Sequence, residues 1–240
     1  MRLGSTIKRN QLPQHFLNFL GFEETFNIKF TSATFTLIFL NLGVVYLLYV
    51  PFPMIVYYLI LPLIIIAHIW MIRLLCKNPY TVQYEFIWFI GIIAVIGSVL
   101  YLVLFQGIAY FMLGLSTLLF LFSSNLIFVI ATFVFLKYQM NKYSDITKKR
   151  KPDYIYHSGL LTAGPGIGYI IGQAVMRHSE YLTWLVLFCV FLFFSLFLSY
   201  VAAKFIYKAL FMRANWHLVV FQKPLKRDRK KFREKGLVLK

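Results

Sequence analysis

Apolar residues run along this chain in long uninterrupted blocks instead of alternating with polar ones. A helix rising about 1.5 Å per residue needs about twenty residues to cross a hydrocarbon core near 30 Å. Five blocks reach that length: residues 31–50, 54–75, 86–105, 108–136 and 183–203. Pro51-Phe52-Pro53 parts the first two, because proline cannot donate to a helical ladder. Gln106-Gly107 is read as the break between the third and fourth. Both connections are short, which predicts two antiparallel helical hairpins. A further segment, 158–176 (SGLLTAGPGIGYIIGQAVM), is glycine-rich and contains Pro165, so it either spans or re-enters from one side.

Basic charge arbitrates. With six spans, the segments on one side collect Arg2, Lys8, Arg9 and Lys29, then Arg73 and Lys77, six cations from Lys137 to Lys151 and twelve from Lys204 to Lys240. That leaves Arg177 as the one basic residue on the other side. Five spans would place the twelve-cation segment outside, against the positive-inside rule. The predicted fold is therefore all-α: a polytopic integral membrane protein of about six transmembrane helices with N- and C-termini cytoplasmic. Residues 1–30 form a cytoplasmic or interfacial segment, 31–205 the six-helix domain and 206–240 a basic cytoplasmic tail. Aromatic residues agree, since Tyr and Trp favour membrane–water boundaries. Tyr46, Tyr49, Tyr101 and Trp184 fall at predicted outer ends, and Trp70, Tyr84, Trp88 and Tyr138 at inner ends. Leu12, Phe16, Phe19 and Leu20 share one helical face, which suits either a helix in the headgroup layer or one packed under the bundle.

Composition sharpens the class without changing it. Hydrophobic residues make up 60% and charged residues 14%, against roughly 45–50% and about 25% in soluble domains. A net charge of +17 would suggest nucleic acid in a soluble chain. Here its placement answers to membrane topology, and nucleic acid is not expected. The expected location is a cell membrane, the bacterial cytoplasmic one, with the lipid bilayer itself as a partner. Lys226, Arg227, Arg229, Lys230, Lys231, Arg233 and Lys235 in the tail are candidate contacts to anionic lipid, each drawn by about 1 kcal/mol near the surface. The alternative is a charge run that only fixes orientation.

Candidate chemistry is sparse. All eight acidic residues lie outside the predicted hydrocarbon core, whereas ion-coupled carriers place ionisable groups inside it. His68 is the one ionisable side chain well inside a predicted span, and a bond to a neighbouring helix is its expected role. Asn41 and Asn125 lie near mid-depth in the first and fourth spans, where an interhelical amide bond would join them. In the fifth span Gly164, Gly168 and Gly172 are four apart, a groove for close helix approach, with Gly114, Thr117, Ser124 and Ala131 as the expected partner stripe. Gly164-Pro165-Gly166 could instead break that helix and free carbonyls for a ligand. No metal, cofactor or catalytic residue is expected. The function these features favour is non-catalytic: an interaction or accessory component of an envelope or secretion assembly, or a membrane immunity protein, with a protein partner or self-association. A transporter or channel component, with its path beside the fifth span, is the alternative. A lipid-acting membrane enzyme has the fewest residues behind it.

Overall fold

The structure is a computed structural model. It describes residue 3, residues 7–22, 24–144 and 179–224, and the single positions 229 and 238. The segment 158–176 with its glycines, the loop residues Asp145, Asp153 and His157, and every candidate lipid contact of the tail except Arg229 lie outside the described residues.

Among the described residues the chain is helical without strands. A short helix α1 (Gln14–Phe19) precedes α2, which is α-helical over Thr25–Thr34, π-helical over Phe35–Leu40 and α-helical again over Asn41–Tyr49. Then come α3 (Met54–Cys76), α4 (Gln83–Phe111), α5 (Leu118–Lys142) and α6 (Glu180–Ala214). Five of these, α2 to α6, are long and apolar enough to cross a membrane. Backbone groups in hydrocarbon have no water to bond, so a helix that satisfies them internally is the available answer for each block.

The same requirement explains one departure from the sequence reading. Gln106-Gly107 does not end the third span, because α4 runs on to Phe111. One glycine costs a helix only about 1 kcal/mol, less than exposing unpaired backbone. The break falls at residues 112–117, where Gly114 takes a left-handed φ of 71° and Leu115 N–H reaches back to the Ala109 carbonyl at 2.8 Å. Gly107 serves packing instead: a Cβ there would collide with the Phe52 ring.

The helix α4 is the axis of the bundle. It is buried over 67% of its most apolar stretch, against 28%, 22% and 33% for α2, α3 and α6, and 0% for α5. Packing pairs set the directions. Tyr84 with Ala209 and Phe105 with Phe188 make α6 antiparallel to α4. Trp70 with Phe89 and Arg73 with Glu85 make α3 antiparallel to it as well. Thr132 with Ser199 and Phe135 with Tyr200 make α5 parallel to α6. Consequently α5 ends, and α6 begins, at opposite ends of the bundle.

All described lysines and arginines gather at one of those ends. Lys29 begins α2, Arg73 and Lys77 close α3, Lys137 and Lys142 close α5, and Lys204, Lys208 and Arg213 occupy the last part of α6. At 35 residues α6 is about 52 Å long, more than a core near 30 Å requires, and its basic end projects past the other helices' cation-bearing ends. Against that projection pack Leu12, Phe16, Phe19 and Leu20, all buried with Tyr143, Tyr207, Phe211 and Met212. Phe19 stacks on Tyr143 at 3.7 Å between ring centroids. The face that the sequence places on one side of this segment is buried against the bundle.

Candidate functional site

The polar residues singled out by sequence do not converge. His68 is half-buried and its Nδ1 lies 2.8 Å from the Ile64 carbonyl of its own helix, not of a neighbour. Asn125 likewise donates to Leu121 within α5, at 2.8 Å. Asn41 sits on α2, and no hydrogen bond joins it to Asn125 among the described residues. An amide that caps the carbonyl one turn back on its own helix needs no partner helix. The expected small-residue stripe on α5 is also dispersed. Gly114 and Thr117 belong to the turn and the N-cap, and Ser124 accepts from Gln106 at 3.3 Å.

Apart from the contacts of Glu85 between α3 and α4, the described interhelical bonds involve hydroxyls. Ser195 Oγ on α6 donates to the Ser98 carbonyl on α4 at 3.0 Å, and Thr132 and Ser199 pair at 2.8 Å between α5 and α6. Tyr101, fully buried, donates 2.7 Å to the Phe39 carbonyl within the π-helical stretch of α2. A π turn leaves carbonyls out of the regular ladder, and the phenol satisfies one of them. Small buried residues occur on both helices: Ser195, Ser199 and Ala203 recur every four positions on α6, and Gly91, Ala94 and Ser98 lie on α4. A Cβ on Gly91 would stand 3.2 Å from the Ile206 backbone nitrogen, so α4 and α6 meet nearly backbone to backbone there.

At the basic end a polar clamp ties the chain ends to the bundle. Gln83 and Gln222 exchange two bonds: Gln83 Nε2 to the Gln222 carbonyl at 3.0 Å, and Gln222 N–H to Gln83 Oε1 at 2.9 Å. Gln222 also donates from Nε2 to the Phe22 carbonyl and accepts from Thr25 N–H. Asn215 Oδ1 accepts from Leu3 N–H at 2.6 Å, and Arg9 donates to the Leu218 carbonyl at 2.7 Å. Arg229, the one described cation of the tail run, donates from Nε to the Pro224 carbonyl at 3.2 Å.

Beside this clamp an open groove of roughly 680 Å³ lies between α3, α4 and the turn after α6. Trp70, Trp88, Trp216 and Tyr84 supply its aromatic lining, Ile92 its apolar side, and Arg73, Lys77 and Glu85 its charge. Helical spacing builds it: Trp70, Arg73 and Lys77 follow one face at the end of α3, and Glu85, Trp88 and Ile92 one face of α4. Glu85 gathers the polar groups, with Trp70 Nε1 at 3.1 Å, Arg73 at 3.3 Å and Lys77 at 3.6 Å. Tyr84 donates to the Ala209 carbonyl and meets Trp216 edge to face at 5.1 Å. Among the described residues no three His, Cys, Asp or Glu side chains cluster as a metal site would require.

Compared with family models, curated proteins and solved structures, the chain matches none.

Proposed function

We propose that this chain is a non-catalytic multi-pass membrane protein that acts by association, as an accessory component of a membrane assembly. The observation that carries this reading is the closed interface between α4 and its neighbours. The hydroxyls of Ser98, Thr132, Ser195 and Ser199 all bond within the protein, and the side chains around them on α4 and α6 are predominantly apolar and buried. A permeation path needs polar groups left open to water or ion, whereas these are consumed in holding helices together. That leaves the outer surface, above all α5 and the basic end, as the place of action.

The proposal includes six crossings with both ends of this chain on the cytoplasmic side. Two features support it. The bonds Leu3–Asn215 and Arg9–Leu218 put the segments before α2 and after α6 at one end of the bundle, and five crossings alone would separate them. Parallel α5 and α6 likewise call for a further crossing between residues 144 and 179. By the positive-inside rule, the clustered cations support a cytoplasmic reading of that end.

The test replaces Cys76 and Cys189 with alanine and places single cysteines at Ser98, Ser195, Gly164 and Gly172. Association predicts protection of all four from a membrane-impermeant maleimide in intact and inverted vesicles. It also predicts a mass above the monomer in mild detergent, as an oligomer or a stoichiometric complex. Labelling at Ser98 and Ser195 from both sides would establish a water-filled path and reverse the reading.

A further inference from the structure

We infer that the groove between Trp70, Trp88 and Trp216 is a binding site for the headgroup of an anionic phospholipid. Charge selects the sign. Arg73 and Lys77 bring two positive charges and Glu85 one negative, and the cations are the outer groups, with side chains 59% and 42% exposed against 24% for Glu85. A choline-type cation would meet net repulsion despite the aromatic walls, which otherwise favour cations.

Donors outnumber acceptors in the same sense. Glu85 is already shared among three donors and Tyr84 is spent on the Ala209 carbonyl. The indole N–H groups of Trp88 and Trp216 have no hydrogen-bond partner among the described residues. Arg73 and Lys77 retain further donors, because a guanidinium carries five N–H groups and an ammonium three. What such a groove lacks is acceptor oxygens, which a phosphate diester supplies.

Depth selects a lipid over a free phosphate. From Glu85 to Ile92 the groove wall follows α4 for seven residues, about 10 Å along the axis. It passes from charge, through indole, to an aliphatic side chain. That is the order of phosphate, glycerol and upper acyl chain in a phospholipid, and Trp favours this boundary layer. The basic end of the bundle, where the groove opens, is also where the described cations concentrate.

The tryptophans provide the probe. Three of the four line the groove, and the fourth, Trp184, packs against Tyr49 at the opposite end. A Trp184→Phe variant therefore reports on the groove alone. It would be reconstituted in phosphatidylcholine vesicles containing a minor fraction of either phosphatidylglycerol or phosphatidylcholine brominated in the upper acyl chain. The inference requires stronger quenching by the brominated phosphatidylglycerol. Near the surface each cation is worth about fivefold in affinity. R73Q or K77Q should weaken the preference by that factor and the pair by roughly 30-fold. R73K should keep it, and K137Q with K223Q, which removes charge elsewhere at the same end, should leave it in place.

Equal quenching by both lipids in the Trp184→Phe protein overturns the inference without any appeal to a folding-sensitive variant. So does a preference for brominated phosphatidylcholine, which would mark cation recognition. Complete relief of quenching by millimolar glycerol phosphate would reassign the groove to a soluble phosphate.

Discussion

Tyr101 condenses the residue-scale logic of this protein. Its ring is buried against Phe191 and Phe194, and its phenol closes a carbonyl that the π turn of α2 leaves open. Tyr101→Phe keeps the ring and orphans that carbonyl. The expected result is a loss of about 0.6 kcal/mol, and at most about 1.7 kcal/mol, in reversible detergent unfolding, the average and maximum measured for interhelical bonds in a membrane protein, with unchanged helicity. The hydroxyl bonds were the least legible part of the sequence. Thr132 illustrates why: it bonds both the Phe128 carbonyl of its own helix and Ser199 on the next. Any serine or threonine in a helix can make the first bond, so only the neighbour's position reveals the second. Asn41, His68 and Asn125 were conspicuous as isolated polar letters, yet His68 and Asn125 close onto their own helices and Asn41 meets neither of them.

Among the elements, α4 and α6 form the principal interface, and small residues set their separation. Gly91→Val should drive the two backbones apart and cost about 1–3 kcal/mol, the usual penalty of overpacking. A lowered unfolding midpoint would register it, and a midpoint equal to that of the parent would show that this contact does not set the packing. The four-residue spacing of Ser195, Ser199 and Ala203 was legible, but bulky Phe and Leu between them mask it. The glycines at 164, 168 and 172 stand out far more and drew the packing motif to themselves. Hairpin boundaries were similarly half-legible. Pro51 and Pro53 end α2 where expected, since proline removes a donor outright. Gln106-Gly107 carries no such prohibition, and the turn waited for Gly114.

For the whole molecule, the decisive feature is the sorting of charge. Parallel α5 and α6 put residues 144 and 179 at opposite ends of the bundle, and the proposed six crossings would set them on opposite membrane faces. With Cys76 and Cys189 replaced, Ser144→Cys should react with an impermeant maleimide only in inverted vesicles and Ser179→Cys only in right-side-out ones. Labelling of both from the same side would refute the six-crossing arrangement. The apolar flank of α5, including Leu119, Phe122, Leu126, Ile130 and Phe133, stays exposed along the bundle. In a bilayer such a face is normal, because lipid tails are as apolar as leucine.

Sequence alone determined five blocks long and apolar enough to cross a membrane and the uneven placement of basic residues. Each is a property of one segment meeting one solvent: a block of apolar side chains has the same transfer free energy whichever neighbours it later acquires. Tertiary structure decided that α4 lies at the centre and that hydroxyls carry most of the interhelical bonds. It also brought Trp216 across from beyond α6 to complete a groove with Trp70, Trp88 and Arg73. Helices in lipid gain no hydrophobic energy by choosing one partner over another, so shape, close backbone approach and hydrogen bonding make that choice. Those are properties of pairs, and they exist only once the helices have met.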